Sequence, residues 1–174
     1  MSEIAFAETA YYDSVIANYF NKISDTSFPK KKTLHFKLID KLRYGENPHQ
    51  ESALYSQNNF AQINKIHGKK LSYNNYNDIF SALTISRSLP ANKGVVIVKH
   101  TNPCGVSILN NNIKSYENAL ACDPLSAFGG IISCNFKIKK NLALKLNKIF
   151  IEVVIANGFD KDALKILSQK KILE

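Results

Sequence analysis

The segment Gly94-Val-Val-Ile-Val-Lys-His-Thr-Asn-Pro-Cys-Gly105 constrains the fold more than any other part of the chain. Its β-branched run, bounded by Gly94, reads as a strand buried on both faces, the kind found at the centre of a mostly parallel α/β sheet. The run ends in Lys99 and His100, and Asn102, Pro103, Cys104 and Gly105 then predict a turn. A cation and an imidazole at the C-terminal tip of a buried strand stand where open α/β sheets form their ligand crevice. Such a pair suits proton transfer and oxyanion stabilisation. The same two residues also fit a plainer reading, in which they mark where the strand meets solvent.

On either side, helical and extended patterns alternate. Glu8 to Asn21 reads as an amphipathic helix with Tyr12, Val15, Ile16 and Tyr19 on one stripe. A Lys-rich connector with Pro29 follows, then extended segments around Leu34 to Leu42 and Ala53 to Tyr55. Asn75 to Leu89 reads as a helix with Ile79, Ala82, Leu83 and Ser86 inward, ended by Pro90. After the central strand come a short helix from Ser115 to Ala121 and a strand from Gly130 to Phe136. A helix carrying Leu142, Leu146, Ile149 and Phe150, a strand from Glu152 to Ala156 and a last helix from Asp160 complete the pattern. Strands alternating with helices specify an α/β layered domain.

Composition narrows the function classes. With 174 residues and 45% hydrophobic content, the chain can bury one ordinary core. No apolar run approaches the ~20 residues of a membrane span, and no charged-then-apolar leader is seen, so no membrane partner is expected. Cys104, Cys122 and Cys134 form neither an even framework nor a C-x-x-C pair, which predicts a reducing, cytoplasmic setting. The net charge of +9 invites a nucleic-acid reading. Against it, the lysines are dispersed, with only short runs such as Lys30-Lys-Lys32, and no nucleic-acid-binding signature accompanies them. An anionic small substrate is the better use of the excess charge.

Arginine usage is sharper than net charge. Only Arg43 and Arg87 occur in this lysine-rich chain, and Arg87 falls on a predicted helix. Arg43 lies in Leu42-Arg-Tyr-Gly-Glu-Asn-Pro-His-Gln50, a segment rich in turn formers. A planar bidentate donor there suits phosphate or carboxylate recognition, which Lys cannot copy; a turn-capping Arg is the alternative. Asp123-Pro-Leu-Ser-Ala-Phe-Gly-Gly130 has small residues that let a backbone approach a ligand and present amide donors, though a Gly-Gly turn into a strand is also ordinary. Gly68-Lys-Lys-Leu-Ser-Tyr-Asn-Asn75 precedes a helix that its Ser and Asn residues can cap. Glu152 opens a strand, and its carboxylate either faces the same crevice or is solvated.

A metal reading is testable on the same strand tip. Zinc-dependent nucleobase deaminases need H-x-E and P-C-x-x-C so that three ligands and a general acid/base converge. Here His100 is followed by Thr101 and Asn102, and Cys104 by Gly105, Val106 and Ser107. Neither the Glu nor the second Cys is present, so a zinc-free site is expected.

Leu42–Gln50, Gly68–Asn75, Val98-Lys-His-Thr-Asn-Pro-Cys-Gly105, Asp123–Gly130 and Glu152-Val-Val-Ile-Ala156 occur in this order. Together they resemble the first half of the transformylase domain in the bifunctional AICAR transformylase/IMP cyclohydrolase family of purine biosynthesis. The resemblance covers nearly the whole chain. It implies a cytidine deaminase-like, layered α/β/α subdomain with a mixed sheet and no zinc. It implies formyl transfer from 10-formyltetrahydrofolate, a co-substrate, to the 5-amino group of AICAR (5-aminoimidazole-4-carboxamide ribonucleotide), the second activity closing the product to IMP. By resemblance Lys99 and His100 are the catalytic pair, with His100 taking a proton as the amine attacks. Lys99 would stabilise the developing charge or help protonate the departing folate nitrogen. Arg43 and Tyr44 match positions that hold the nucleotide, Gly129 matches the glycine loop beside it, and Glu152 matches an acidic contact to the base. A homodimer is implied for the complete enzyme.

The resemblance also implies a division of the chain. Residues 1–22 correspond to the last helix of the cyclohydrolase domain, 23–32 to a connector and 33–174 to the first transformylase subdomain, truncated after Lys170-Lys-Ile-Leu173. In the family the other half supplies an Asn that completes the catalytic group, and much of the folate and phosphate contact. Asn157-Gly158 stands where the family usually has Pro. A gene fragment or split product, inactive alone, is the expectation, with a non-catalytic nucleotide-binding or assembly module as the alternative.

Overall fold

The alternating signals become α1 (Ser2–Ile23), β1 (Lys37–Lys41), β2 (Ala53–Ser56), α2 (Tyr73–Ser88), β3 (Gly94–Lys99) and β4 (Asn102–Ile108). They continue through α3 (Asn112–Cys122), α4 (Pro124–Ala127), β5 (Gly130–Ile138), α5 (Lys140–Leu146), β6 (Ile151–Phe159) and α6 (Lys161–Ser168). The structure, a computed structural model, describes residues 2–25, 27–57 and 63–169. The segment Lys170-Lys-Ile-Leu173 lies outside the described residues. The chain forms two units, Met1–Lys41 with Ala53–Asn64 and Leu42–Ser52 with Lys65–Glu174.

In the first unit, β1 and β2 pair antiparallel. The expected stripe of α1 is not its packing face: Tyr12, Val15 and Tyr19 are exposed. Contacts within the unit come instead from the Tyr11, Ser14 and Asn18 face. Ser14 Oγ is 3.1 Å from His35 Nδ1, and Asn18 Nδ2 donates to the Thr33 carbonyl at 3.1 Å. The segment at Thr33 and His35 presents hydrogen-bonding groups to α1, and so selects the polar side of the helix.

The second unit is built on a mixed sheet ordered β4-β3-β5-β6. Val95 to Val98 are fully buried, as their β-branched run requires. Their setting differs from the mostly parallel one expected. β3 is antiparallel to both β4 and β5, and only β5 and β6 run parallel. On one face Val95, Ile97, Ile132, Cys134 and Phe136 pack against Tyr116 and Ala119 of α3, Leu142 and Leu146 of α5 and Ala163 of α6. The alternate residues Val96, Val98, Ile131 and Ser133 face the other way, toward α2 with its buried Ile79, Ala82 and Ser86. Helices on both faces make the unit an α/β layered domain.

Several boundaries move for physical reasons. α2 starts at Tyr73 because Ser72 and Asn75 form a reciprocal capping box. α5 stops at Leu146, so Ile149 and Phe150 lie beyond it; the Phe150 carbonyl accepts the Gly129 N–H at 3.0 Å. The expected turn at Asn102 to Gly105 is in fact the start of β4. The chain reverses one step earlier, at His100 and Thr101, whose φ values of 52° and 63° are both left-handed. Two such residues make the tight hairpin loop that matches strand twist. Ile97 pairs with Gly105 but Val98 with Pro103, so Cys104 is the extra residue of a β-bulge.

Asp160 gives one pH-dependent expectation. It caps α6, accepting the Ala163 N–H at 2.6 Å and the Lys140 N–H at 3.1 Å. These bonds, Ala163 first, hold its carboxyl below the ordinary range. A carboxyl lowered in the folded state stabilises above its unfolded pKa, near 4, and that contribution is lost as pH falls through the lower folded value. Asp160→Asn is therefore expected to flatten the acid limb of the stability curve. Urea midpoints followed from neutral pH downward check this; an unchanged acid limb would count against it.

Candidate active site

The closed end of the β3–β4 hairpin opens onto a cleft of about 420 Å³, lined by Lys99, His100, Asn102, Pro103, Cys104, Asp123 and Ser126. Two separate motifs thus share one surface. Lys99 Nζ donates to the Phe128 carbonyl at 2.7 Å, which fixes the ammonium against the loop that carries Gly129. An ammonium has three donors, so two remain for a ligand. Gly129 has φ of 72°, which suits glycine, and its N–H is bonded to Phe150.

The far wall of the cleft begins at Asp123, which caps the single turn of α4 and accepts the Ser126 N–H at 3.0 Å. Bonds from the Ser126 hydroxyl and then its backbone N–H hold this carboxyl below its usual range, so it places negative charge in the cleft that Lys99 also lines. Cys104, on the bulge, has its thiol pushed up, chiefly by burial and next by Asp123. A raised thiol is a poor nucleophile at neutral pH.

The first half of α2 ties the remaining motifs together. Tyr73 N–H donates to the Tyr44 carbonyl at 3.1 Å and Arg43 N–H to the Leu71 carbonyl at 2.9 Å. Asn75 Nδ2 donates to Glu152 Oε2 at 2.7 Å, while its Oδ1 accepts from Ser72. One turn on, Asp78 accepts from the His100–Thr101 turn, with Oδ1 2.6 Å from Thr101 N. The Arg43 guanidinium lies 5.2 Å from the centre of the Tyr44 ring, a cation–π arrangement on an exposed loop. Arg43, Tyr44, Gly129 and Glu152 do not line the Lys99–His100 cleft. A second depression of about 480 Å³ lies along the Arg43 loop, lined by Gly45, Glu46, Gln50, Glu51, Ser52 and Tyr73.

Sequence reasoning singled out Lys99, His100 and Gly129 but not Asp78 or the capping role of Asp123. The signal for Asp123 was Asp followed by Pro and then Ser, a helix-start pattern. Asp78 had no local signal, since its partners lie more than twenty residues downstream. Among the described residues, no group of three or more His, Cys, Asp or Glu side chains could hold a metal ion. No helix among them is long and apolar enough to cross a membrane.

PurH of Caldicellulosiruptor saccharolyticus, a bifunctional purine biosynthesis protein, is 45% identical over 176 residues, covering 97% of this chain and 34% of that protein. PurH of Oceanobacillus iheyensis is 42% identical over 171 residues, with 95% and 33% covered. PurH of Persephonella marina is 43% identical over 175 residues, with 96% and 34% covered. The chain spans about a third of the length of the curated relatives it matches. Since residues 1–174 match the family described as AICARFT/IMPCHase bienzyme from end to end, the chain belongs to that family.

Proposed function

We propose that this chain supplies part of a formyl-transfer site of purine biosynthesis. The reaction moves the formyl group of 10-formyltetrahydrofolate to the 5-amino nitrogen of AICAR, in an enzyme whose other activity closes the product to IMP. The observation that carries the reading is the junction of two family motifs at one cleft, with Lys99 anchored by the Phe128 carbonyl beside His100.

The amine nitrogen attacks the formyl carbon, forming the new C–N bond. The carbon–N10 bond to folate then breaks. An amine attached to an electron-poor ring is a weak nucleophile and must lose a proton as it attacks. His100 is the base for that proton, and such help is typically worth ~10²–10⁴-fold. Lys99 offsets the negative charge that gathers on the formyl oxygen, or returns a proton to N10 as tetrahydrofolate leaves. Arg43 and Tyr44 hold the nucleotide, Gly129 lies in the loop beside it, and Glu152, held by Asn75, contacts the base.

The α/β unit is read as a cytidine deaminase-like subdomain without zinc. Residues 1–22 are read as the last helix of the cyclohydrolase domain, 23–32 as a connector and 33–174 as the first transformylase subdomain. A homodimer in the cytoplasm is the assembly proposed for the complete enzyme.

Arg43 provides the test of the nucleotide side. In a full-length family enzyme carrying residues 1–174, Arg43→Lys keeps the charge and loses the bidentate fork. Binding of AICAR is expected to weaken by about 10-fold and binding of its dephosphorylated nucleoside to change little. Calorimetric titration of both ligands decides it, and equal weakening would assign Arg43 to its loop.

A further inference from the structure

We infer that Asp78 is a positioning residue for His100, acting through the backbone of the hairpin turn; the inference rests on the reading of His100 as the base. His100 and Thr101 are adjacent residues with left-handed φ, an unusual state for side chains other than Gly and costly for a β-branched Thr. Successive N–H groups in such a turn point into one concavity, which attracts an anion. The Asp78 carboxylate fills it. Oδ1 accepts the Thr101 N–H at 2.6 Å and Oδ2 accepts the His100 N–H at 3.3 Å.

The opposite side of the turn is also held. Ser81 Oγ donates to the Thr101 carbonyl at 2.6 Å, and Asn102 Nδ2 donates to the His100 carbonyl at 2.9 Å. Asp78 and Ser81 are three residues apart on α2 and so share one face. Their helix is itself fixed. Ile79, next to Asp78, is 2% exposed, and Ala82, next to Ser81, is 0% exposed. The capping box at Ser72 secures its first turn. A rigid helix therefore dictates the conformation of two strained residues, and with it the point from which the His100 imidazole leaves the backbone. The positioning is electrostatic at its source, because a carboxylate accepts from both N–H groups where an amide would turn a donor toward one of them.

The test is Asp78→Asn in a full-length family enzyme carrying residues 1–174, with and without His100→Ala. In the otherwise native enzyme kcat is expected to fall by about 10- to 100-fold, the cost of misplacing a catalytic group by about an ångström. KM for AICAR should stay within about two-fold, because ground-state contacts are untouched. In the His100→Ala background the same change should alter kcat by less than about two-fold, since the group it positions is gone. Equal losses in both backgrounds would make Asp78 merely structural and overturn the inference. His100→Ala without effect would instead overturn the underlying reading of the base. Should Asp78→Asn not fold, Ser81→Ala removes only the bond to Thr101 and is expected to lower kcat by about three- to ten-fold. An unchanged kcat there would also overturn it.

Discussion

Replacing His100 by Ala in a full-length family enzyme is expected to lower kcat for formyl transfer by ~10²–10⁴-fold while leaving AICAR binding nearly unchanged. The size follows from the role, since a base acts on a proton that moves only in the transition state. The selectivity follows from position. His100 is exposed on a turn whose backbone groups are bonded to Asp78, Ser81 and Asn102, so removing its ring leaves the scaffold in place. Single-turnover rates with both substrates, alongside AICAR titration, check both halves. An unchanged kcat would remove His100 from the chemistry, and a loss confined to KM would make it a binding residue.

The largest expected effect on stability belongs to Gly105. A Cβ there would clash with the Ala119 carbonyl oxygen and lie 2.8 Å from the Ala119 carbonyl carbon. Both are backbone atoms, so no side chain can rotate aside. Either β4 must part from β3, breaking the pairing of Gly105 with Ile97, or α3 must lift from the sheet. Ala119 is 1% exposed and belongs to the main core, so lifting α3 opens that core to water. Gly105→Ala is expected to destabilise by about 3 kcal/mol, the upper range for overpacking a core. Because α3 ends at the cleft wall, just before Asp123, a residual folded population should also lose activity. Urea unfolding of Gly105→Ala against the parent measures the first effect, and a change under about 1 kcal/mol would refute the close approach of α3 and β4.

How far these features were legible in the sequence depends on whether the deciding interaction is local. The burial of Val95 to Val98 was legible, because a β-branched run has no polar side for solvent. Strand direction was not, because a run buried on both faces reads the same beside parallel or antiparallel neighbours. The capping residues of α2 were legible in Ser72 and Asn75, but the helix starts at Tyr73, two residues before the expected Asn75. Asn102-Pro-Cys-Gly105 reads as a turn in the sequence because its residues are turn formers. β4 is an edge strand, where Pro is tolerated, and the bulge at Cys104 absorbs the irregularity. The true turn uses His and Thr, and what stabilises it comes from Asp78 and Ser81 on a distant helix.

The site divides in the same way. Lys99, His100 and Gly129 stand out in the sequence because each sits in a dense motif, and a direct bond joins Lys99 to the Phe128–Gly129 loop. The link between Asn75 and Glu152 spans 77 positions and could be seen only once the strand and helix were packed. The stripe of α1 failed for a related reason. Periodicity locates an apolar face, but the partner decides whether that face is used, and here Thr33 and His35 engage the polar one.

In the proposed function, the cleft at the His100 turn holds the reacting end of AICAR. A crystal structure of a full-length family enzyme carrying residues 1–174, with AICAR bound, tests it most directly. The 5-amino nitrogen is expected within about 3 Å of the His100 imidazole, the reach a general base requires, with the phosphate bound by Arg43. AICAR bound with neither Lys99 nor His100 in contact with its aminoimidazole ring would contradict it.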